Sequence, residues 1–271
     1  MSFYSKLATN TYGVINRSGL LKTSLMKKVF RVAYFSYKKY LEDPFPKLVK
    51  KRPELFQNGS ILDIGANIGF TASVFCSGLS PGQSIYAFEP DTTNFLELQL
   101  TAGRLSKIGR IEPILAAVGE TEGEIELWQN QDHHGDHRIL TEDFKKNREV
   151  SDSHRLTVPL VSIDKWVETG KIKKPIQFIK IDIQGYEVAA LRGMRKTLEE
   201  SHPALTIEYC PAQIRELGFD PEEMLRLIRD MGYEIDILNQ DGSTRALKSF
   251  DMESLSGAHG YLNFLCERKS L

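Results

Sequence analysis

Residues 61–71 read ILDIGANIGFT. A short apolar run that carries Asp63 leads into two glycines four residues apart, and a helical pattern starts at Phe70. Gly65 lets the chain turn sharply out of a strand, and Gly69 lets the following helix pack close, so that helix-terminal amides face a ligand. The spacing is G-x-x-x-G, whereas the dinucleotide fingerprint is G-x-G-x-x-G; Asn67 stands where a pyrophosphate would need a further glycine. Glu89 ends the next apolar run at the distance expected of an acid that binds ribose hydroxyls. A nucleoside ligand without a pyrophosphate fits this turn better than NAD.

Outward from this turn the chain alternates. Apolar runs at 61–64, 84–88, 111–118, 178–182 and 204–209 read as buried strands, and stretches 70–77, 94–105 and 188–198 read as helices between them. Such alternation predicts an α/β fold, a doubly wound parallel sheet with helices on both faces. A further helix is expected after Asp220, with Asp220 as its cap, Pro221 in its first turn, Glu223 completing a capping box and Gly232 ending it. GYEIDIL and GYLNFLCE lack a convincing helix between them and are expected to pair antiparallel at one edge. EIELWQ and LTVPLVSID have extended character, and the polar stretch 130–152 between them reads as a loop or lid.

With 271 residues, 41% hydrophobic and 26% charged, the chain suits one large domain plus an extension. The division expected is a basic amphipathic helical extension, 1–58, and a main domain, 59–271, with a lid-like insertion near 130–152. The net charge of −1 is unevenly spread: residues 1–56 hold 12 Lys or Arg against 3 Asp or Glu, which leaves about −10 for the rest. In the arm, Met26, Phe30, Ala33, Tyr37 and Leu41 form one helical stripe flanked by lysines. It reads as a helix packed on the body with a solvated basic face; the alternative is peripheral contact with an anionic membrane surface, or a cap over an acidic or lipid-linked substrate. No nucleic-acid partner is expected from the overall charge. Cys76, Cys210 and Cys266 are widely spaced in apolar runs, as suits reduced thiols in a cytoplasmic protein. Lys22, Lys27, Lys28 and Arg31 interrupt any apolar run near the N-terminus.

Four predicted strands end on or just before an acid: Asp63, Glu89, Asp182 and Glu208. Ligands of doubly wound sheets bind outside the carboxyl ends of the strands. Crowding four carboxylates there is unfavourable without a ligand, a cation or basic side chains to offset them, so this edge is the expected site.

LDIGANIGFTA, YAFEPDTTNFLEL, AAVGETEGEIEL, VSIDKWV and FIKIDIQGYEVAALRGMRKTLEE occur in the order and approximate spacing of the FkbM family of S-adenosylmethionine-dependent methyltransferases, which the chain resembles over about residues 61–209. The resemblance implies a class I methyltransferase sheet, Rossmann-like, with an antiparallel last strand. It implies that Asp63, Gly65, Asn67 and Gly69 hold the methionine part of the cofactor, that Glu89 takes the ribose, and that Ala117 and Val118 lie by the adenine. Gln184 departs from the family, whose members often carry an acid there.

Methyl transfer to a hydroxyl needs an in-line geometry and removal of a proton. Asp182 is the candidate base or ligand; capping the turn at Gly185 is its structural alternative. Glu187 at a helix start is expected to be structural. DHHGDHR, residues 132–138, supplies His134 and His137 as further candidate bases, and Arg138 for substrate contact; no standard ligand spacing supports a divalent metal there. Glu208 is a candidate for substrate binding or for pairing with Lys180. The expected activity is O-methylation of a sugar, glycan or secondary metabolite. An NAD-dependent oxidoreductase and a noncatalytic nucleoside-binding module are the competing readings.

Overall fold

The computed structural model describes residues 35, 36, 38, 43–130, 137–147, 151, 154–253, 255 and 260–268. The stripe expected from Met26 to Leu41 lies outside them, apart from Phe35, Ser36 and Lys38 near its end.

An eight-stranded sheet forms the centre. Its parallel part comprises β1 (Ser60–Ile64), β2 (Ser84–Phe88), β3 (Arg110–Ile114), β8 (Ile176–Ile181) and β9 (Ala204–Tyr209), in spatial order β3-β2-β1-β8-β9. These strands read as near-continuous apolar runs because both faces are covered. Ile61, Ile85 and Phe178 pack under α1 (Phe45–Lys51), α2 (Phe70–Phe75) and α3 (Thr92–Leu105). Leu62, Tyr86, Phe88 and Ile179 point the other way, toward α6 (Glu187–Arg192), α7 (Arg195–Ser201) and α9 (Pro221–Asp230). The sheet continues through β12 (Leu262–Arg268), which is antiparallel to β9 and to β10 (Tyr233–Leu238), and ends at the short β11 (Thr244–Ala246). The expected antiparallel pair therefore forms toward one edge, with the last strand, β12, between β9 and β10.

Three local readings change. The run 111–118 is two strands: β3 ends at Ile114, whose carbonyl accepts from Glu89 N (3.0 Å) and Ala116 N (3.1 Å), and the chain crosses into a second sheet as β4 (Ala117–Val118). The helix 188–198 breaks at Gly193, whose carbonyl is taken by Asp164 N and the Ser162 hydroxyl; a Cβ there would stand 1.9 Å from the Gly119 carbonyl oxygen. Asp220 does cap α9, accepting from Glu222 N at 3.0 Å, but the box is not formed, because the Glu223 carboxylate holds Arg192 Nε at 2.9 Å.

The second sheet runs β4-β7-β5-β6, with β5 (Gly123–Trp128), β6 (Arg138–Ile139) and β7 (Arg155–Val161). The expected loop at 130–152 thus has structure in its described part: β6 pairs with β5, and α4 (Glu142–Asn147) is anchored by the fully buried Phe144. The basic patch before β1 likewise belongs to the body. In α1, Leu48 and Val49 are buried while Lys51 pairs with Asp241, and Phe56 stacks against Phe75 and Phe178. Packing therefore does not divide at residue 58. Among the described residues no helix is long and apolar enough to cross a membrane.

Candidate active site

A cavity of about 710 Å³ opens at the C-terminal ends of β1, β2, β8 and β9, roofed by the second sheet and by residues 38 and 43–45. Its size is that of a small-molecule site.

On one side stands the glycine turn. Gly65 has φ +80°, and a Cβ on it would lie 1.9 Å from the Asp182 carbonyl oxygen, so the bare backbone is required by the neighbouring strand. Gly69, at φ +86°, meets Leu98 and Thr101 of α3 instead and is not a cavity wall. Asn67 also adopts a left-handed φ, +49°, and its N–H donates to Glu89 Oε2 at 2.8 Å. Glu89 Oε1 accepts from Asp91 N at 3.1 Å. Burial pushes the Glu89 carboxyl up to about 7, against the pull of these N–H donors. Ala117 and Val118 are buried on the cavity wall with Phe88 and Leu127. Asp63 lies beneath the turn with no exposed surface, its Oδ1 3.3 Å from Lys180 Nζ.

On the other side, Asp182, Gln184 and Glu208 line the cavity with Arg138 and Asn263. Because Lys180 is in register with Thr206, Asp182 and Glu208 follow at equivalent positions of adjacent strands, and Asn263 is paired with Glu208 across β9 and β12. Asp182 Oδ1 accepts from Gln184 Nε2 at 3.0 Å, and its side chain is 39% exposed, open to a reacting group. The turn at Gly185 is braced by Glu187, whose carboxylate accepts from Ile183 N at 3.0 Å. The structural role proposed for Asp182 thus falls to Glu187, which is buried and pushed up to about 7 by that burial. Enclosure, then the nearby Asp182 and Glu187, raise the Glu208 carboxyl well above the ordinary range; it makes no ion pair with Lys180 within 4 Å.

Arg138 is buried, with Nη1 3.3 Å from Glu216 Oε2 and 3.4 Å from the Gln184 carbonyl oxygen. His137 Nδ1 accepts from Asn130 N at 3.0 Å and Nε2 lies 3.7 Å from Asp91 Oδ2, so its one basic nitrogen is already engaged on the Glu89 side. His134 lies outside the described residues. Among those residues no cluster of three His, Cys, Asp or Glu could hold a metal ion. Reading the sequence named Lys180 only as an alternative partner of Glu208 and missed Asn263; both sit inside apolar strand patterns, and the two-residue offset from Asp182 was the available signal for the lysine's place at the site.

The donor side fits a nucleoside. A carboxylate that takes the Asn67 and Asp91 N–H groups and the Asn94 side chain keeps acceptor capacity for a ribose diol, since its two oxygens offer about four lone-pair sites, and the wall of Ala117, Val118 and Leu127 suits a flat apolar base.

Comparison with known proteins gives three findings. The Methyltransferase FkbM domain matches residues 63–235. Hexuronic acid methyltransferase AglP of Haloferax volcanii is 26% identical over 191 residues, covering 69% of this chain and 70% of that protein. The crystal structure of Methyltransferase FkbM from Methylobacillus flagellatus KT superposes with a TM-score of 0.50 at 19% identity over 85% of this chain, which spans 50% of that chain; the likeness is one of fold.

Proposed function

Since the chain belongs to the FkbM methyltransferase family, we propose that it methylates a hydroxyl of a sugar or glycan with Asp182 as the proton acceptor. It is an S-adenosylmethionine-dependent methyltransferase, and the NAD-dependent alternative is not favoured. The hexuronic acid relative makes a uronic acid sugar the first acceptor to test.

The carrying observation is that Glu89 and Asp182 line one cavity, with the Gly65 turn between their strands. Glu89 accepts the ribose hydroxyls, Gly65 and Asn67 shape the turn under the methionine portion, and Ala117 and Val118 face the base. Asp63 and Gly69 support the turn from behind. When bound, S-adenosylmethionine supplies an electrophilic methyl on a sulfonium, whose transfer breaks the S–C bond and forms the O–C bond. Asp182 takes the hydroxyl proton; Gln184 holds its Oδ1, so that one face of the carboxylate stays directed at the acceptor. Arg138, Glu208 and Asn263 offer hydrogen bonds to the remaining sugar hydroxyls. His134 remains the candidate base should Asp182 prove dispensable.

Three buried, free cysteines support a reducing compartment such as the cytoplasm. Charge alone supports membrane contact through the arm.

Calorimetry with S-adenosylhomocysteine and with NADH tests the cofactor, and labelled methyl transfer to a panel of glucosides and glucuronosides tests the acceptor. Binding of NADH in place of the nucleoside thioether would overturn the reading, as would a folded protein that binds the thioether and methylates no sugar.

A further inference from the structure

Among the described residues the proposed chemistry leaves one buried cation unused, and it lies between the two halves of the site. Lys180 is 4% exposed and in register with Asp63. Its ammonium donates to the Gly65 carbonyl at 2.7 Å and lies 3.3 Å from Asp63 Oδ1 and 3.7 Å from Asp182 Oδ2. The Gly65 carbonyl belongs to the donor-side turn, and the Asp182 carboxylate faces the acceptor.

The backbone already presses these segments together, through the Gly65 contact and through Asp182 N, which donates to the Ile64 carbonyl at 3.1 Å. Each group has one further tie, Ala66 N to the Phe88 carbonyl at 2.9 Å and Gln184 Nε2 to Asp182 Oδ1 at 3.0 Å, which leaves the Gly65 carbonyl oxygen and Asp182 Oδ2 as the atoms that face Lys180. An ammonium with three donors, aimed at both groups, restrains both. Burial works against its charge and also pushes the Asp63 carboxyl up, while Asp63 and the more exposed Asp182 together hold the Lys180 pKa above the ordinary value.

We propose that Lys180 is a positioning residue that clamps the Gly65 turn to the Asp182 carboxylate, fixing the separation of donor loop and acceptor base. The proposal rests on the assignment of Asp182 to the acceptor side. The competing role is a structural ion pair with Asp63, which a neutral pair of similar shape would replace without functional loss.

The test compares Asp63→Asn/Lys180→Met with Asp63→Asn alone, so that neither a stranded carboxylate nor the loss of Asp63 itself confounds the result. Thermal melts establish that both fold. In ligand-free protein, hydrogen exchange at the Asn67 and Ile68 amides should run at least about tenfold faster in the double variant, while Phe178 and Ile179 in β8 keep their protection. Its affinity for S-adenosylhomocysteine should fall about tenfold, and kcat on a glucuronoside should fall on the order of 10²-fold, the scale of a small misplacement of reacting groups, with acceptor KM little changed. A folded double variant that matches Asp63→Asn in exchange, thioether affinity and kcat overturns the proposal. Because exchange is read without ligand, it decides the clamp even where the wild type binds no thioether, a result that would strike only the functional reading.

Discussion

Glu89 and Asp182 are both carboxylates at strand ends, yet their surroundings give them different tasks. Glu89 is enclosed and pushed up to about 7, so near neutral pH much of the ligand-free protein carries it protonated. A ribose diol donates hydrogen bonds and prefers the ionised form, so affinity for S-adenosylhomocysteine should rise with pH through about 7 and level off above it. Glu89→Ala should weaken binding by about 1.5–3 kcal/mol, the scale of lost charge-assisted hydrogen bonds, and should flatten the pH dependence, both read by calorimetry. Asp182→Asn should instead lower kcat by about 10²–10⁴-fold with cofactor affinity nearly kept, in steady-state kinetics on a methylated sugar. Gly65→Val is expected to unfold or displace the turn rather than merely fill the cavity, because its Cβ meets the Asp182 carbonyl, a backbone atom that cannot swing away. At this scale the place of Glu89 at the end of β2, on the cavity, was legible from spacing alone. Lys180 was not, because in an apolar strand a lone lysine gives no sign of which groups its ammonium reaches.

The elements were legible where periodicity and capping act within a few residues, as in the five parallel strands and the helix capped by Asp220. They were misread where a distant partner decides. Gly193 ends a helix because Gly119 packs against it, and Glu223 leaves its capping box for Arg192. The loop from β8 into α6 shows how one buried group governs an element. Glu187 accepts from Ile183 N while enclosed, and its carboxyl moves from 4.5 to about 7. A carboxyl raised in the folded state adds stability that is fully present below the unfolded value near 4.5 and is lost as pH rises through about 7. The shift corresponds to about 3 kcal/mol. Glu187→Gln keeps an acceptor for Ile183 without the titration. Denaturant melts from pH 4.5 to 8 should therefore show the wild type losing roughly that much stability relative to the variant; parallel curves would mean that Glu187 does not titrate in this range.

For the whole molecule, the charge division into a basic arm and an acidic body was visible in composition, but where the arm joins the site was not. Phe35 meets Phe70, at the start of α2, edge-to-face with ring centroids 5.4 Å apart, and Lys38 lines the cavity, where its charge counters the rise in the Glu208 pKa. Lys38 is thus part of the cavity lining, and Phe35 braces Phe70, which also lines it. An aromatic pair of this geometry contributes about 0.5–1.5 kcal/mol, equivalent to roughly two- to tenfold in a coupled equilibrium. Deleting residues 1–41 should accordingly weaken S-adenosylhomocysteine binding by about three- to tenfold, measured by calorimetry on folded protein. Phe35→Ala/Lys38→Ala in the full chain should reproduce that loss without removing the basic stripe. The same two proteins separate the arm's other expected role: if the basic stripe contacts anionic lipid, salt-sensitive binding to phosphatidylserine vesicles should disappear on deletion yet survive the double substitution. A truncated protein that binds the thioether at full affinity would mean that the roof closes without the arm, and the contacts of Phe35 and Lys38 would then be incidental to the site.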